Sequence, residues 1–432
     1  MQKLYSFVLS ICLLMLFSSC ASVQYGEEGG DYSEEIPKLQ RQLLLKPNDP
    51  AALRDLGIIY FQTKRYDLAK LNLYRSYVQI ADDPRTIFYY GMTLEYLGDV
   101  EGALRVYINY TDVSLLSQYR KLIEGRYRTL TREVVQRQFQ TILANEQKLG
   151  TEKIAPKAVA VFPLAYQGTD PKYEALGKGL SEMMLIDLGQ VKNLQVIERI
   201  RIEALLDELK FGQSNKVDQS TAPRLGKLLS AGRVVSGSFN VYNYNLRMDV
   251  AAWDIINKKF PDLKTGSDDL DNLFKVEKEL VFTVIKELGI TLTPEEREKI
   301  QFIPTKNTFA FLNYCLGLKS EDALDFRGAR VYYNQAATFD PNFGLAKTKV
   351  ATMDALSVAG GPKENAIAAA DQVEPGSKKE KRKKGTNLVI NRLQHSGYGI
   401  GSSFTPGQDD RKPGEEVVEA GLLPEPPRPP GK

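Results

Sequence analysis

Between Ala158 and Trp253, apolar runs too short to be helices alternate with stretches of helical periodicity, and few folds accept that order. Ala158-Val-Ala-Val-Phe-Pro163 is apolar throughout and reads as a buried strand. Leu176, Leu180, Met183, Met184 and Leu188 then fall on one helical face. Leu194-Gln-Val-Ile197 is the next strand, and Ile202, Leu205, Leu206 and Leu209 mark a second helix. Thr221 is the expected cap of a third helix, which carries Leu225, Leu228 and Leu229 and stops at Gly232. Val234-Val-Ser-Gly-Ser-Phe239 and the alternation Leu246-Arg-Met-Asp-Val250 are strand-like. Strands and helices in this alternation build a layered α/β domain, a sheet packed with helices.

The same residues carry a family resemblance. Val159-Ala-Val-Phe-Pro163, Gly177-Lys-Gly-Leu-Ser-Glu182, Val196-Ile-Glu-Arg199, Glu203-Ala-Leu-Leu-Asp-Glu208 and Leu225-Gly-Lys-Leu-Leu-Ser-Ala231 stand in the order of the CsgG family. Val235-Ser-Gly-Ser238 and Leu292-Thr-Pro-Glu-Glu-Arg297 continue it, so the resemblance runs from residue 157 to 300. CsgG proteins are lipoproteins of the curli production, assembly and transport system. The resemblance implies a periplasm-facing α/β domain that self-associates, and it does not imply an enzyme.

The amino terminus sets the compartment. Met1-Gln-Lys3 is a short positive region, Leu4 to Phe17 is almost wholly apolar, and Ser18-Ser19 precedes Cys20. This is a signal peptide over residues 1–19 with a lipobox-like end, cleaved between Ser19 and Cys20, although Phe17 sits where Leu is usual. The apolar run is short for a membrane span. A lipidated Cys20 would anchor the chain at the outer membrane, facing the periplasm, through acyl groups such as palmitate. Residues 20–36 would be a flexible tether. The alternative is an ordinary cleaved signal with an incidental cysteine. Cys12 leaves with the signal and Cys20 carries lipid, so Cys315 is the one thiol left, and no disulfide framework exists. Cys315 lies on a helical pattern with Leu312 and Leu316 and reads as buried filler.

Helical repeats flank the α/β domain. Pro50, Leu53, Leu56, Gly57, Tyr60, Ala69 and Leu73 recur in phase as Pro84, Ile87, Tyr90, Gly91, Leu94, Ala103 and Tyr107. From Gly57 to Gly91 the step is 34 residues, the tetratricopeptide (TPR) period. Gly125 keeps the phase, but Arg137 replaces the small residue expected after Ala103, and 115–149 reads as one or two longer helices closing a helical domain over 37–150. Leu316, Gly317, Ala329, Tyr333, Ala336 and Pro341 repeat the spacing in a carboxy-terminal hairpin over 305–356, which is expected to pack on the central domain or on a neighbouring chain. A concave repeat face would present Arg54, Ile58, Phe61 and Gln62, then Arg85, Phe88, Met92, Glu95 and Tyr96. Phe88, Met92 and Tyr96 either form an apolar groove for a partner segment or pack against the chain's own helices.

From Ser357 to Lys432 the pattern reads as a disordered tail, with Gly360-Gly-Pro362, the basic cluster 378–384 and the proline-rich 424–430. Catalysis has little to draw on. The one histidine, His395, lies in that tail, which disfavours Ser/His/Asp and Cys/His chemistry and a His/Cys zinc site. Gly177-Lys-Gly179 opens a helix that could hold an anion, but it lacks the third glycine of a dinucleotide loop and the Lys-Ser/Thr of a P-loop, so close packing is the better reading. Asp268, Asp269 and Asp271 lack the glycine and glutamate of a calcium loop and are expected to start a helix. A net charge of +3 with 43% hydrophobic residues gives no reason to expect nucleic acid as a partner. No cofactor is expected.

The sequence therefore points to a non-catalytic assembly or scaffolding lipoprotein that works with envelope proteins through its repeat helices and as a homo-oligomer. The alternative is an oligomeric curli-type export channel subunit. Metabolic labelling with a palmitate analogue should mark the wild-type chain and leave Cys20→Ala unmarked, and equal labelling of both would remove the anchor from this picture.

Overall fold

The computed structural model describes residues 32–150, 154–210, 217–218, 220–257 and 262–373. The signal segment, Cys12, Cys20 and the stretch from 374 on, with the basic cluster and His395, lie outside the described residues. The chain divides into two units, one up to Ala81 and one from Asp82 on.

The first unit holds α1 (Glu35–Leu45), α2 (Pro50–Gln62) and α3 (Tyr66–Tyr77). Asp49 starts α2 by accepting from the backbone N–H groups of Ala51 and Ala52, with Pro50 at the first helical position, where a missing N–H costs nothing. Leu53, Leu56, Ala69 and Leu73 are buried between α2 and α3. Gly57 lets the helices approach so closely that a Cβ there would lie 2.6 Å from Cγ of Leu73.

The second unit opens with α4 (Pro84–Tyr96) and α5 (Val100–Tyr107), followed by α6 (Gln118–Ala144), a helix of 27 residues. Asp83-Pro84 starts α4 as Asp49-Pro50 starts α2. The α/β part follows: β1 (Ala155–Val161), β2 (Ala165–Tyr166), α7 (Leu176–Leu188), β3 (Gln195–Val196), α8 (Arg199–Glu208), α9 (Ala222–Leu228), β4 (Ala231–Tyr242), β5 (Asn245–Asp254), β6 (Lys264–Asp269) and α10 (Leu273–Glu287). The sheet order is β3-β1-β4-β5-β6, with β2 beside the far half of β4. β3, β1 and β4 run parallel, while β5 and β6 return antiparallel. Leu246, Met248 and Val250 face the core and Arg247 faces solvent, which is the half-buried strand that the alternation predicts.

The main core joins Val159, Val161 and Val235 of the sheet to Leu180 and Met184 of α7 and to Val276, Leu280 and Val284 of α10. On the other sheet face, Gly226 of α9 sits against Ile255 and Val234. Thr221 does precede α9, but its side chain makes no cap bond to that helix. Asp268 and Asp269 differ from expectation. They end β6, and a short turn over 270–272 separates them from α10, because the antiparallel ladder with β5 runs as far as Asn245 opposite Asp269.

After α11 (Pro294–Gln301) come α12 (Thr308–Asp322), α13 (Phe326–Phe339), α14 (Gly344–Ala359) and α15 (Lys363–Val373). The hairpin of α12 and α13 packs on the central domain, as the sequence allowed. Its Phe311 lies 4.7 Å from Phe274 of α10, ring to ring, and a Cβ on Gly179 would lie 2.2 Å from Sγ of Cys315. The expected start of the tail needs correction. The expected structureless tail from Ser357 instead continues α14 to Ala359 and adds α15, which buries Ala366 and Ala370. Small residues make this work, since alanine favours helix and lets α14 and α15 lie close to α6. A Cβ on Gly125 would meet the carbonyl oxygen of Ala355 at 2.4 Å. Next to it, Arg126 donates to the carbonyl oxygens of Ala359 at 3.4 Å and Gly361 at 2.7 Å, taking up acceptors at the end of α14. A chain ending at Ser357 should therefore melt several degrees below one ending at Val373; thermal melts of the two truncations check this.

Candidate functional site

The candidate anion site at Gly177-Lys178-Gly179 lies at the start of α7. Both glycines are there for close packing: a Cβ on Gly177 would stand 2.1 Å from the carbonyl oxygen of Leu164, and one on Gly179 would strike Cys315. Lys178 between them reaches Asp322 at 2.6 Å and Glu203 at 2.9 Å. Arg199, the first residue of α8, binds the other oxygen of Asp322 and places Nε 3.1 Å from Glu182. The anion that meets this helix start is thus the chain's own Asp322 carboxylate, brought by the last turn of α12.

The seam continues into the carboxy-terminal helices. Lys349 of α14 lies 3.0 Å from Glu321 and 3.8 Å from Glu182. The Tyr314 hydroxyl donates to Glu182 at 3.0 Å, and the Tyr333 hydroxyl to Glu321 at 2.6 Å. Three cations, Lys178, Arg199 and Lys349, thus face four carboxylates, Glu182, Glu203, Glu321 and Asp322. The imbalance shows in the titration. Burial, then the Asp322 charge, raises the Glu203 carboxyl above its usual range. Burial acts the same way on Glu321, but Lys349 and Arg199 overcome it and hold that group down to about 2. Burial lifts the Cys315 thiol well above its usual range, with the Glu182 charge adding to it, which leaves a packing group and not a nucleophile.

A second buried group sits where α7 ends. Lys278 of α10 contacts Asp187 at 2.5 Å and Glu277 at 3.4 Å. Glu277 is fully buried, and its carboxyl oxygens accept no hydrogen bond from the described residues. Burial, reinforced by the Asp187 charge, pushes the Glu277 carboxyl well above its usual range, while burial raises Asp187 to about 6 against the pull of Lys278. One lysine cannot neutralise two buried carboxylates, so the pair keeps a proton.

The expected repeat face is placed as follows. In the first unit Ile58 and Phe61 are buried, Arg54 pairs with Asp55 at 2.9 Å, and Gln62 accepts from the Tyr32 hydroxyl at 2.7 Å. In the second unit Arg85 is half-buried, while Phe88 and Met92 are fully buried, with the Phe88 ring 5.6 Å from Tyr119. Glu95 accepts from Arg126 at 3.0 Å and from Tyr107 at 2.8 Å. Tyr96 meets α15, with Lys363 3.9 Å from its ring centre and Glu364 3.3 Å from its hydroxyl. Of the two readings for Phe88, Met92 and Tyr96, packing against the chain's own helices describes this structure.

The sequence reading missed the charged seam, and a signal for it exists. Gly91, Glu95 and Tyr107 have the same spacing as Gly317, Glu321 and Tyr333. In both hairpins the tyrosine ring fills the space beside the glycine, where a Cβ would stand 2.1 Å from Tyr107 and 2.5 Å from Tyr333. In both, the tyrosine hydroxyl bonds the glutamate. A buried glutamate so placed needs a cation, supplied by Arg126 in one case and Lys349 in the other. Among the described residues no group of three or more His, Cys, Asp or Glu side chains could hold a metal ion, and no helix is long and apolar enough to cross a membrane.

Two substitutions read out these clusters. Asp322→Ala takes one hydrogen-bond partner each from Lys178 and Arg199, which keep Glu203 and Glu182, and should destabilise by about 1–3 kcal/mol. The same change at Glu295, in an exposed pair with Lys299, should cost about 1 kcal/mol or less, both measured by denaturant melts. Glu277 folds with a proton that the unfolded chain releases above its ordinary value of 4.5, so the native state loses stability as pH rises from there toward the raised folded value. Glu277→Gln should thus raise the melting temperature at about pH 8 and bring no gain near pH 4.5. A gain that does not vary with pH would contradict this assignment.

Residues 158–251 match the family model described as curli production assembly/transport component CsgG. No curated protein matches the chain. The matched stretch holds β1 from Ala158 on, β2, β3 and β4, α7 to α9 and most of β5, and it stops before β6, α10 and the carboxy-terminal hairpin. The order of elements, the glycine-spaced start of α7 and the family match agree on one assignment: residues 158–251 of this chain form a CsgG-family domain.

Proposed function

We propose that this chain is a lipid-anchored, periplasm-facing component of the outer membrane that acts without catalysis, as an assembly or scaffolding module for envelope proteins, and that it self-associates through the CsgG domain. The family's role in curli production, assembly and transport supports the setting. The lipobox-like end at Cys20 supports the anchor.

The observation that favours a scaffold over an export channel is the connection between strands. A transmembrane β-strand takes about 9–11 residues, so a spanning hairpin needs about twice that. β4 and β5 are joined by Asn243-Tyr244 alone, and only residues 255–263 lie between β5 and β6. After β6 the chain enters α10 within a short turn.

The helical hairpins are the proposed partner-facing element. Gly57 with Leu73, Gly91 with Tyr107 and Gly317 with Tyr333 are close approaches at one sequence offset. Each hairpin turns through a left-handed residue at one offset too: Lys64 at φ 58°, Gly98 at φ 78° and Leu324 at φ 62°. This supports a shared repeat of tetratricopeptide type.

Purified full-length chain in planar bilayers should give no reproducible conductance steps. Crosslinking in envelopes, followed by pull-down, should recover both a second copy and other envelope proteins. Conductance steps would favour the channel alternative, and recovery of monomer alone would remove the scaffold reading.

A further inference from the structure

Exposed aromatic rings stand at the β4–β5 turn, at the start of α12 and at the end of α13 in the second unit. Asn243 and Tyr244 form the β4–β5 turn, both left-handed, at φ 47° and 63°. Glycine is the usual second residue of such a turn. A tyrosine there bears local strain, and strained turn residues concentrate at functional surfaces. The Tyr244 hydroxyl donates to Asp271 at 2.9 Å, and the Thr308 hydroxyl donates to the same carboxylate oxygen at 2.6 Å. One carboxylate therefore ties the turn to the start of α12, where Phe309 follows. The Phe309 ring lies 6.3 Å from Phe339 at the end of α13, and Asn307 donates to the Phe339 carbonyl oxygen at 3.0 Å. Tyr242 is 73% exposed, Phe309 62%, Phe339 52% and Tyr244 45%.

We propose that this aromatic end seats on the surface of a lipid bilayer, with its rings in the interfacial layer. Two features favour lipid over a protein partner. The rings stand on element ends, namely a tight turn, a helix start and a helix end, and not along one helix or strand face, whereas the apolar anchors that take up a bound helix follow one such face. The set mixes tyrosine, which pairs an apolar ring with a polar tip, and phenylalanine, the composition that settles at the headgroup level. Charge at this end is mixed, with Lys306 exposed in the connection that leads to Phe309 and Asp269 and Asp271 exposed beside the turn, so the rings and not charge carry the contact. The placement in the cell rests on the envelope reading above, but the contact with lipid does not.

The test uses the full chain with Cys12→Ser, Cys20→Ser and Tyr242→Cys, so that position 242 carries the reactive thiol while Cys315 stays buried. An environment-sensitive fluorophore is attached there, and the protein is added to phosphatidylethanolamine/phosphatidylglycerol vesicles. A second protein carries the label at Val331→Cys, an exposed position on α13. The expected result is a blue shift at 242 and several-fold stronger quenching by acyl-chain nitroxides at 242 than at 331. Aqueous emission at 242 overturns the proposal. So does a blue shift that lipid nitroxides do not quench, which would mean that protein covers this end. Because neither variant carries an acylated Cys20, failure here leaves the anchor to be judged by the palmitate labelling alone.

Discussion

The second unit depends on the close approach of α14 to α6. Gly125 is where the two backbones meet, with the Ala355 carbonyl in the space a side chain would fill. Arg126 takes up the free carbonyls at the end of α14 and at the same time neutralises Glu95, which also accepts the Tyr107 hydroxyl. One arginine thus links α4, α5, α6 and the chain after α14. Gly125 stands in phase with Gly57 and Gly91, yet no following hairpin helix fills its place. The partner comes from the far end of the sequence, and this is why a residue as large as Arg137 can stand where Ala69 and Ala103 stand in the earlier hairpins.

The charged seam under α12 follows from the same arrangement. Once α14 is held on α6, α13 lies between α14 and α12, α12 lies on α7, and the starts of α7 and α8 are covered. The helix starts carry Lys178 and Arg199, whose charges would be costly to bury alone. Asp322 and Glu203 balance them, and Glu182 and Glu321 extend the balance to Lys349. Buried ion pairs of this kind add little net stability over an apolar contact, but losing one partner is expensive. The seam therefore fixes how the hairpin sits on the sheet domain more than it strengthens the fold. Lys178, Arg199 and Lys349 each already meet carboxylates of the chain itself, which agrees with a structural role for the Gly177-Lys-Gly179 start.

Much of this was legible in the sequence, for physical reasons. Apart from the two-residue β2, the strands and helices of 158–251 follow from periodicity, because a sheet face or a helix face must be apolar on one side. The hairpins follow from the glycine phase, because only glycine admits Leu73, Tyr107 or Tyr333 so near the facing helix. What escaped was set by distant partners. α15 has few large apolar residues, and its alanines look like filler until α6 is known to lie beside them. β6, Lys-Thr-Gly-Ser-Asp-Asp, has no strand-like pattern, and pairing with β5 makes it one. Glu277 sits among apolar residues of α10 with nothing in the neighbouring sequence to show that Asp187 faces it. Phe88 and Met92 gave two readings, since an apolar stripe looks the same whether a partner or the chain itself covers it.

The bracing bears on how such a module would act. α6 touches α4 and α5 in its first half, α14 and α15 around Gly125, and α8 near its end, where Gln136 and Gln140 donate to Glu208 at 3.2 and 3.0 Å. Arg201 of α8 stacks 5.4 Å from the Phe139 ring on the same helix. A load on α4 or α5 therefore reaches the sheet by two routes, through α8 directly and through α14 and α12. Packed interiors transmit displacement because they contain little free volume to absorb it. A domain held in this way suits a part that keeps partners at a fixed separation. It suits poorly a part that must open, since opening would expose Glu95 with Arg126, or Asp322 with Lys178 and Arg199, as separated charges in a dry interface.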